Sequence, residues 1–271
     1  MNPQFSPYYL VKSCIKNRDL IFNLVKRDVI GRYRGSIMGL FWSFFTPILM
    51  LGVYTFVFGV VFKSRWPEVS TGSVNFPIIL FSGLLIYNFV AECLSKAPGI
   101  IIGNANYVKK VVFPLEILPV VTVLASLFHF FISFIVWLCF YLVVAGLPPI
   151  TIVLLPLVIA PVVLLVVGLC WLLSASGVFL RDINQIIGVF ISMLMFLSPV
   201  FYSISSLPPK YQTIMYFNPL TGTIGQMRDV MIWGKTGDWG LWYCQLVLSA
   251  VFAWICFVWF QKTRKGFADV L

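Results

Sequence analysis

The sequence predicts an all-α, polytopic membrane protein: six transmembrane helices, an N-terminal amphipathic interface helix, and short re-entrant helices on the periplasmic side. Three observations predict it. The 271 residues are 60% hydrophobic and only 10% charged, with a positive mean hydropathy. No soluble domain of this length needs so many apolar side chains to fill one core, whereas a bilayer supplies apolar surroundings. Six apolar stretches reach or exceed the roughly 20 residues that cross a hydrocarbon core. The basic residues fall between these stretches, mostly on one side.

Residues 1–36 form a polar N-terminal segment without the short apolar core and small-residue cleavage site of a removed signal. Within it, residues 17–34 (NRDLIFNLVKRDVIGRYR) place Ile21, Phe22, Val25, Val29 and Tyr33 on one helical face, with Asn23, Lys26, Arg27 and Arg34 opposite. That pattern predicts a helix lying at the interface. Gly31, Gly35 and Gly39 follow at spacings of four, which suits either a close helix contact or a bend.

The transmembrane domain, residues 37–261, contains the stretches Ile37 to Phe62, Val74 to Leu94, Leu115 to Ala145, Ile150 to Phe179, Ile183 to Ile204 and Leu241 to Phe260. The third and fourth are joined by Gly146-Leu147-Pro148-Pro149, a tight turn that predicts a hairpin. Residues 205–240 are too apolar for a solvated loop, yet Pro208, Pro209, Pro219 and several glycines divide them into short pieces. Short helices dipping into the outer leaflet fit, with their backbone buried in protein. Residues 262–271 form a cytoplasmic tail.

Orientation follows from charge. With both termini cytoplasmic, the inner segments carry Lys12, Lys16, Arg18, Lys26, Arg27, Arg32, Arg34, Lys96, Lys109, Lys110, Arg181, Lys262, Arg264 and Lys265 of the 19 basic residues. Only Lys63, Arg65, Lys210, Arg228 and Lys235 remain outside, as the positive-inside rule requires. The net charge of +10 is thus membrane topology, not a nucleic-acid footprint.

Catalytic chemistry finds no footing. His129 is the single histidine, mid-stretch between Phe128 and Phe130, and reads as a hydrogen-bonded structural residue. The six cysteines lack CxxC pairing or ligand spacing and read as small buried hydrophobes. Gly234-Lys235-Thr236 lacks the preceding glycine and strand of a phosphate loop. No catalytic residues, metal ligands or cofactors are assigned, and sparse mid-membrane charge places the energy source in another chain. An integral-membrane enzyme acting on lipid-linked intermediates would need a polar catalytic cluster that this inventory does not provide.

Residues 27–62, RDVIGRYRGSIMGLFWSFFTPILMLGVYTFVFGVVF, resemble the opening of the permeases of type-2 ABC exporters that move O-antigen and related polysaccharides, the Wzm-like family. NANYVKKVVFPLEILP at 104–119, Arg181-Asp182, Ser198-Pro199-Val200 with Tyr202, and Asn218-Pro219-Leu220 with Arg228 match in order. Tyr87, in SGLLIYNF, departs from the Trp of many relatives.

The resemblance implies a homodimeric channel in the bacterial inner membrane, joined by two separate ATPase subunits that bind ATP and magnesium. Its cargo would be a polysaccharide on undecaprenyl diphosphate. Teichoic-acid, capsule or drug exporters share the fold. On this basis the segment 98–113, with Asn104, Asn106, Tyr107, Lys109 and Lys110, is expected to dock on the ATPase beside the surface helix. Arg32 and Arg34 are expected at the lipid diphosphate, since guanidinium forks bind phosphate in a bidentate way. Anchoring to anionic lipid is their alternative role. Trp42, Phe45, Tyr54 and Phe58, joined by Tyr87 and Phe89, are expected to line the channel, where rings let a sugar chain slide.

Overall fold

The computed structural model describes residues 6–62, 66, 76–109, 113–180 and 182–271. Lys63, Arg65, Lys110, Arg181 and residues 74–75 lie outside the described residues. The regular structure of the described residues is all helical: α1 (Pro7–Lys16), α2 (Arg18–Gly31), α3 (Trp42–Tyr54), α4 (Phe76–Lys96), α5 (Ala105–Val108), α6 (Ile117–Val144), α7 (Leu155–Phe179), α8 (Ile183–Leu197), α9 (Pro209–Met215), α10 (Pro219–Arg228), α11 (Trp239–Thr263) and α12 (Phe267–Val270).

Short helical extensions lengthen several of these, so five continuous elements are long and apolar enough to cross a bilayer: Gly39–Val61, Phe76–Gly99, Ile117–Val144, Ile150–Phe179 and Trp239–Val270. The first passes from α-helix into a π-helix over Thr55–Val61.

α4 is the centre of the bundle. It is buried on almost every side and packs against α6, α7, α8 and α10. Two indole donors fix the frame: Trp137 Nε1 donates to the Ile78 carbonyl at 2.9 Å, and Trp171 Nε1 to that of Glu116 at 3.0 Å. α6 and α7 form the expected hairpin around Gly146, whose φ of 86° suits a residue without Cβ. α7 and α11 approach so closely that a Cβ on Gly168 would lie 2.8 Å from Ala253 Cα. Small residues permit such contact where lipid gives helices no hydrophobic reason to associate. The outer faces carry exposed Ile48, Leu49, Val53 and Phe56 of the first element and Leu248, Val251, Ile255 and Trp259 of α11. So large an apolar surface belongs against hydrocarbon.

The expected fifth span is not one continuous helix. α8 has 15 residues. At 1.5 Å per residue that is about 22 Å, short of the ~30 Å hydrocarbon thickness. Beyond it, Ser198, Val200 and Ser203 are buried in non-helical backbone. Such backbone needs protein partners at membrane depth. Asn218 Nδ2 donates to the Leu197 carbonyl at 3.1 Å and to Ser198 Oγ at 3.0 Å. Arg228 donates to the carbonyls of Pro199 (2.8 Å) and Val200 (2.9 Å), with its guanidinium 4.6 Å from the Trp66 ring centre. Gly83 makes room: a Cβ there would lie 2.9 Å from Arg228 Nη2. α10 is largely buried, and α9 is the exposed short helix of the 205–240 region.

Three further expectations change. The N-terminal segment holds two helices, and the buried residues of α2 are Ile21, Leu24 and Val29, whereas Phe22 is 68% exposed. A Cβ on Gly31, Gly35 or Gly39 would meet nothing within 4 Å, while Gly35 and Gly39 have φ of 87° and 50°. Gly35 and Gly39 make the bend into α3, and none of the three glycines makes a close helix contact within the chain. All six cysteines are free, with Cys93, Cys170 and Cys256 buried but Cys139 and Cys244 on exposed apolar faces.

Candidate functional site

α3, α4, α6 and α8, with Arg32 and Tyr33 just after α2, line an open cavity of about 650 Å³. Its wall has two characters. Trp42, Met50, Tyr54, Phe81 and Ile191 supply aromatic and apolar surface. α4 presents Asn88, Ala91, Glu92, Ser95 and Lys96, which recur at spacings of three and four and so share one face. α3 adds Ser43 and Thr46, and α6 adds His129 and Ser133. A polar stripe on the most buried helix of an apolar bundle is costly unless it faces water or a ligand.

The charged end of the cavity is a compact network. Arg32 Nη1 lies 2.7 Å, and Lys96 Nζ 2.9 Å, from the same Glu92 Oε1. Lys96 also lies 3.8 Å from Asp28 Oδ2, and His129 Nε2 3.9 Å from Glu92 Oε1. His129, edge-on to Tyr33 and Phe128, therefore stands at the cavity wall beside a carboxylate. It is not a histidine hydrogen-bonded inside the packed core. Burial pushes the Tyr33 phenol above its ordinary range, with the Arg32 guanidinium opposing that shift.

The sequence-predicted residues divide accordingly. Arg32, Trp42 and Tyr54 line the cavity. Phe45 packs edge-on to Trp42, and Phe58 clusters with Tyr54, Phe76 and Phe201. Tyr87 and Phe89 face the packed interior: the Tyr87 hydroxyl donates to the Ile191 carbonyl at 3.2 Å, and Phe89 packs edge-on to Phe130. Neither lines this cavity. Arg34 is exposed on the bend and is not part of the lining. Asn88, Glu92 and Lys96 were missed as site residues, although their spacing along an otherwise apolar run was a readable signal.

Among the described residues of the segment 98–113, short helical turns follow one another at Ala97–Gly99, Ile102–Asn104 and α5, with no single long helix over 97–109. Asn104 bonds back to the Ile100 carbonyl at 2.8 Å, while Asn106 and Lys109 are exposed. Tyr107 stacks on Phe113 at 4.3 Å and receives a 2.7 Å hydrogen bond from Arg27 Nη1, so α2 packs beside this segment. Its root rests on α7, where a Cβ on Gly177 would collide with the Pro98 carbonyl. A second cavity of about 450 Å³, lined by Arg27, Asp28, Lys96 and Asn104, separates the surface helix from the segment.

Behind it, Glu116 is fully buried and receives Arg264 Nη1 at 2.8 Å and Ser13 Oγ at 3.1 Å. This carboxylate ties α1 and the C-terminal turn to the base of α6. Burial, and then the Glu116 charge, push both the Cys14 thiol and the Tyr9 phenol above their ordinary ranges. Among the described residues, no group of three or more His, Cys, Asp or Glu could hold a metal ion.

A bundle of apolar helices around an off-centre polar cavity suits passage of a solute. The sequence of ABC-2 type transporter membrane proteins matches residues 19–232, which include the cavity and the 98–113 segment. The chain belongs to the ABC-2 type transporter family. Within that family it is similar to the O-antigen export system permease protein RfbA of Myxococcus xanthus, 26% identical over 96% of this chain and 98% of the relative. It is equally similar to RfbA of Klebsiella pneumoniae, 26% identical over 93% and 95%. The polysialic acid transport protein KpsM of Escherichia coli is 20% identical over 79% and 82%.

Proposed function

We propose that this ABC-2 permease is the channel subunit of an exporter for polysaccharide carried on undecaprenyl diphosphate. It would act in the inner membrane as a homodimer, with both termini cytoplasmic, driven by ATP and magnesium in two separate ATPase subunits. The α8 segment and its non-helical continuation would complete a sixth crossing, with α9 and α10 re-entering from the periplasmic side. The observation that carries the reading is the cavity, lined at one end by Arg32 and Lys96 and elsewhere by the aromatic side chains Trp42 and Tyr54. Ring faces stack on the CH faces of sugars without residue-specific hydrogen bonds, and such a wall lets a polymer slide.

Arg32 meets the diphosphate in this mechanism, and Arg34 anchors the bend to anionic headgroups. Asn104, Asn106, Tyr107, Lys109 and Lys110 contact the ATPase. Movement of that surface passes through Pro98 to Gly177 of α7 and through Tyr107 to Arg27 of α2. The test is deletion of the gene in its own host, followed by complementation. Loss of surface polysaccharide with accumulation of lipid-linked glycan inside the cell is expected, restored by the wild-type chain. Unchanged surface polysaccharide in the deletion strain would refute the cargo assignment. Teichoic-acid, capsule or drug export by the same fold would then be sought in the composition of the missing surface material or the accumulated solute.

A further inference from the structure

The cavity's charged end has an arrangement that a structural ion pair does not require. One carboxylate oxygen, Glu92 Oε1, takes both Arg32 at 2.7 Å and Lys96 at 2.9 Å, and each cation has further N–H donors. Both cations line the cavity, so its lining carries two positive charges against the single Glu92 negative charge. Asp28, the other nearby carboxylate, lies 3.8 Å from Lys96 and faces the second cavity. Asn88, Ser95 and Ser133 add neutral hydrogen-bonding groups around the cations. The Glu92 side chain is 18% exposed, and those of Arg32 and Lys96 are 46% and 35% exposed, so the cations are the more accessible members.

The geometry points to an anion site in which Arg32 and Lys96 together bind a diphosphate group and Glu92 is the built-in competitor that occupies them while the site is empty. A monoanion would only duplicate Glu92. A diphosphate brings several acceptor oxygens and more than one negative charge, enough to engage both cations and the hydroxyls beside them. Glu92, the least exposed of the three, pairs with both cations when no ligand is present. The ligand must therefore draw the two cations away from it. This deepens the export reading and rests on it for the source of the diphosphate: Lys96, on α4, becomes the second phosphate contact, and Glu92 sets the affinity.

The test uses the full-length protein in phosphatidylcholine nanodiscs and radiolabelled farnesyl diphosphate as the probe. Farnesol and inorganic pyrophosphate serve as competitors. Glu92→Gln, nearly isosteric, is expected to tighten binding about tenfold. Lys96→Met and Arg32→Met weaken it about tenfold or more, Lys96→Arg retains most of it, and inorganic pyrophosphate competes where farnesol does not. Lys26→Met removes the same charge from an exposed position on α2 and changes binding less than twofold.

Unchanged or weaker binding by Glu92→Gln would overturn the proposal. So would equal effects of Lys96→Met and Lys26→Met, or a wild-type chain that binds no probe. Displacement of the probe when phosphatidylglycerol replaces phosphatidylcholine would assign the site to lipid headgroups and overturn it as well. Size-exclusion profiles of each variant separate loss of binding from loss of fold. Probe binding as expected in a chain whose deletion leaves surface polysaccharide intact would sink the export reading while the site stands. Loss of surface polysaccharide with no probe binding would do the reverse.

Discussion

Replacing Arg228 by Met removes the guanidinium that holds the non-helical continuation of α8. Two hydrogen bonds disappear, to the carbonyls of Pro199 at 2.8 Å and Val200 at 2.9 Å, together with the stacking on Trp66. Hydrogen bonds to a charged donor contribute about 1.5–3 kcal/mol each, and the carbonyls left behind are remote from water. Met fills part of the volume, so the lower end of the summed effect, about 3 kcal/mol, is the expected cost of local opening. Since 1.4 kcal/mol is about a factor of ten, the open population of the segment should rise roughly a hundredfold.

Val200, fully buried, is the reporter position. In a background whose six cysteines are replaced, Val200→Cys should react with a small methanethiosulfonate slowly when Arg228 is present and roughly a hundredfold faster in Arg228→Met. Arg228→Lys, which keeps the charge but not the fork, should fall between them. An increase of less than about threefold, with the bundle still monodisperse, would refute the view that Arg228 holds this break closed.

Gly177→Val should drive the Pro98 backbone off α7, so the protein still inserts but its glycan-stimulated ATPase activity in the assembled complex falls at least tenfold, measured in proteoliposomes. Paired Trp42→Leu and Tyr54→Leu should lower surface polysaccharide severalfold at matched expression, while Phe45→Leu, outside the cavity lining, has a smaller effect on export. Cysteines placed at 106 and 264 should label from the cytoplasmic face; labelling of either from the periplasm alone would reverse the topology. For Cys14, whose thiol is raised by burial and by Glu116, maleimide reaction in a single-cysteine chain should keep rising with pH beyond the point where a surface thiol has levelled off. Glu116→Gln removes a negative charge that disfavours the thiolate, so that rise should move to lower pH.

The parts of the fold legible in the sequence were those set by continuous apolar length and by local backbone chemistry. The five long elements and the turn at Gly146 follow from the runs themselves. The α8 break had a local signal in Pro199, which forces Ser198 into extended backbone and ends the helix at Leu197; what residues 183–204 do not reveal is that Asn218 and Arg228, 20 or more residues downstream, satisfy the carbonyls freed there. The face of α2 was misassigned for a different reason. Phe22 and Val29, seven residues apart, share a helical face, yet Val29 is 7% and Phe22 68% exposed, so what the bundle covers varies along the helix, which periodicity does not record. Arg32 and the cavity aromatics Trp42 and Tyr54 could be read from charge and ring placement. Glu92 could not be read as the partner of Arg32, since 60 residues and a bend separate the two.

Lys96 stands where the two cavities and the 98–113 segment meet. It is the last residue of α4, it stands in the lining of both cavities, and Pro98, two residues later, is the backbone seated on Gly177. A shift of the 98–113 segment is therefore transmitted to Lys96 within a single helical turn, whereas Arg32 sits past the end of α2, on the stretch that bends through Gly35 toward α3. The two cations that converge on Glu92 are thus carried by different elements, and only one of them is covalently close to the surface assigned to the ATPase. Separating those elements by even 2 Å would break a 2.7 Å and a 2.9 Å pairing on the same oxygen, because neither bond tolerates much stretching. A diphosphate held between Arg32 and Lys96 would be released by the same displacement. On the proposed function, this geometry would couple grip on a diphosphate to the position of the 98–113 segment.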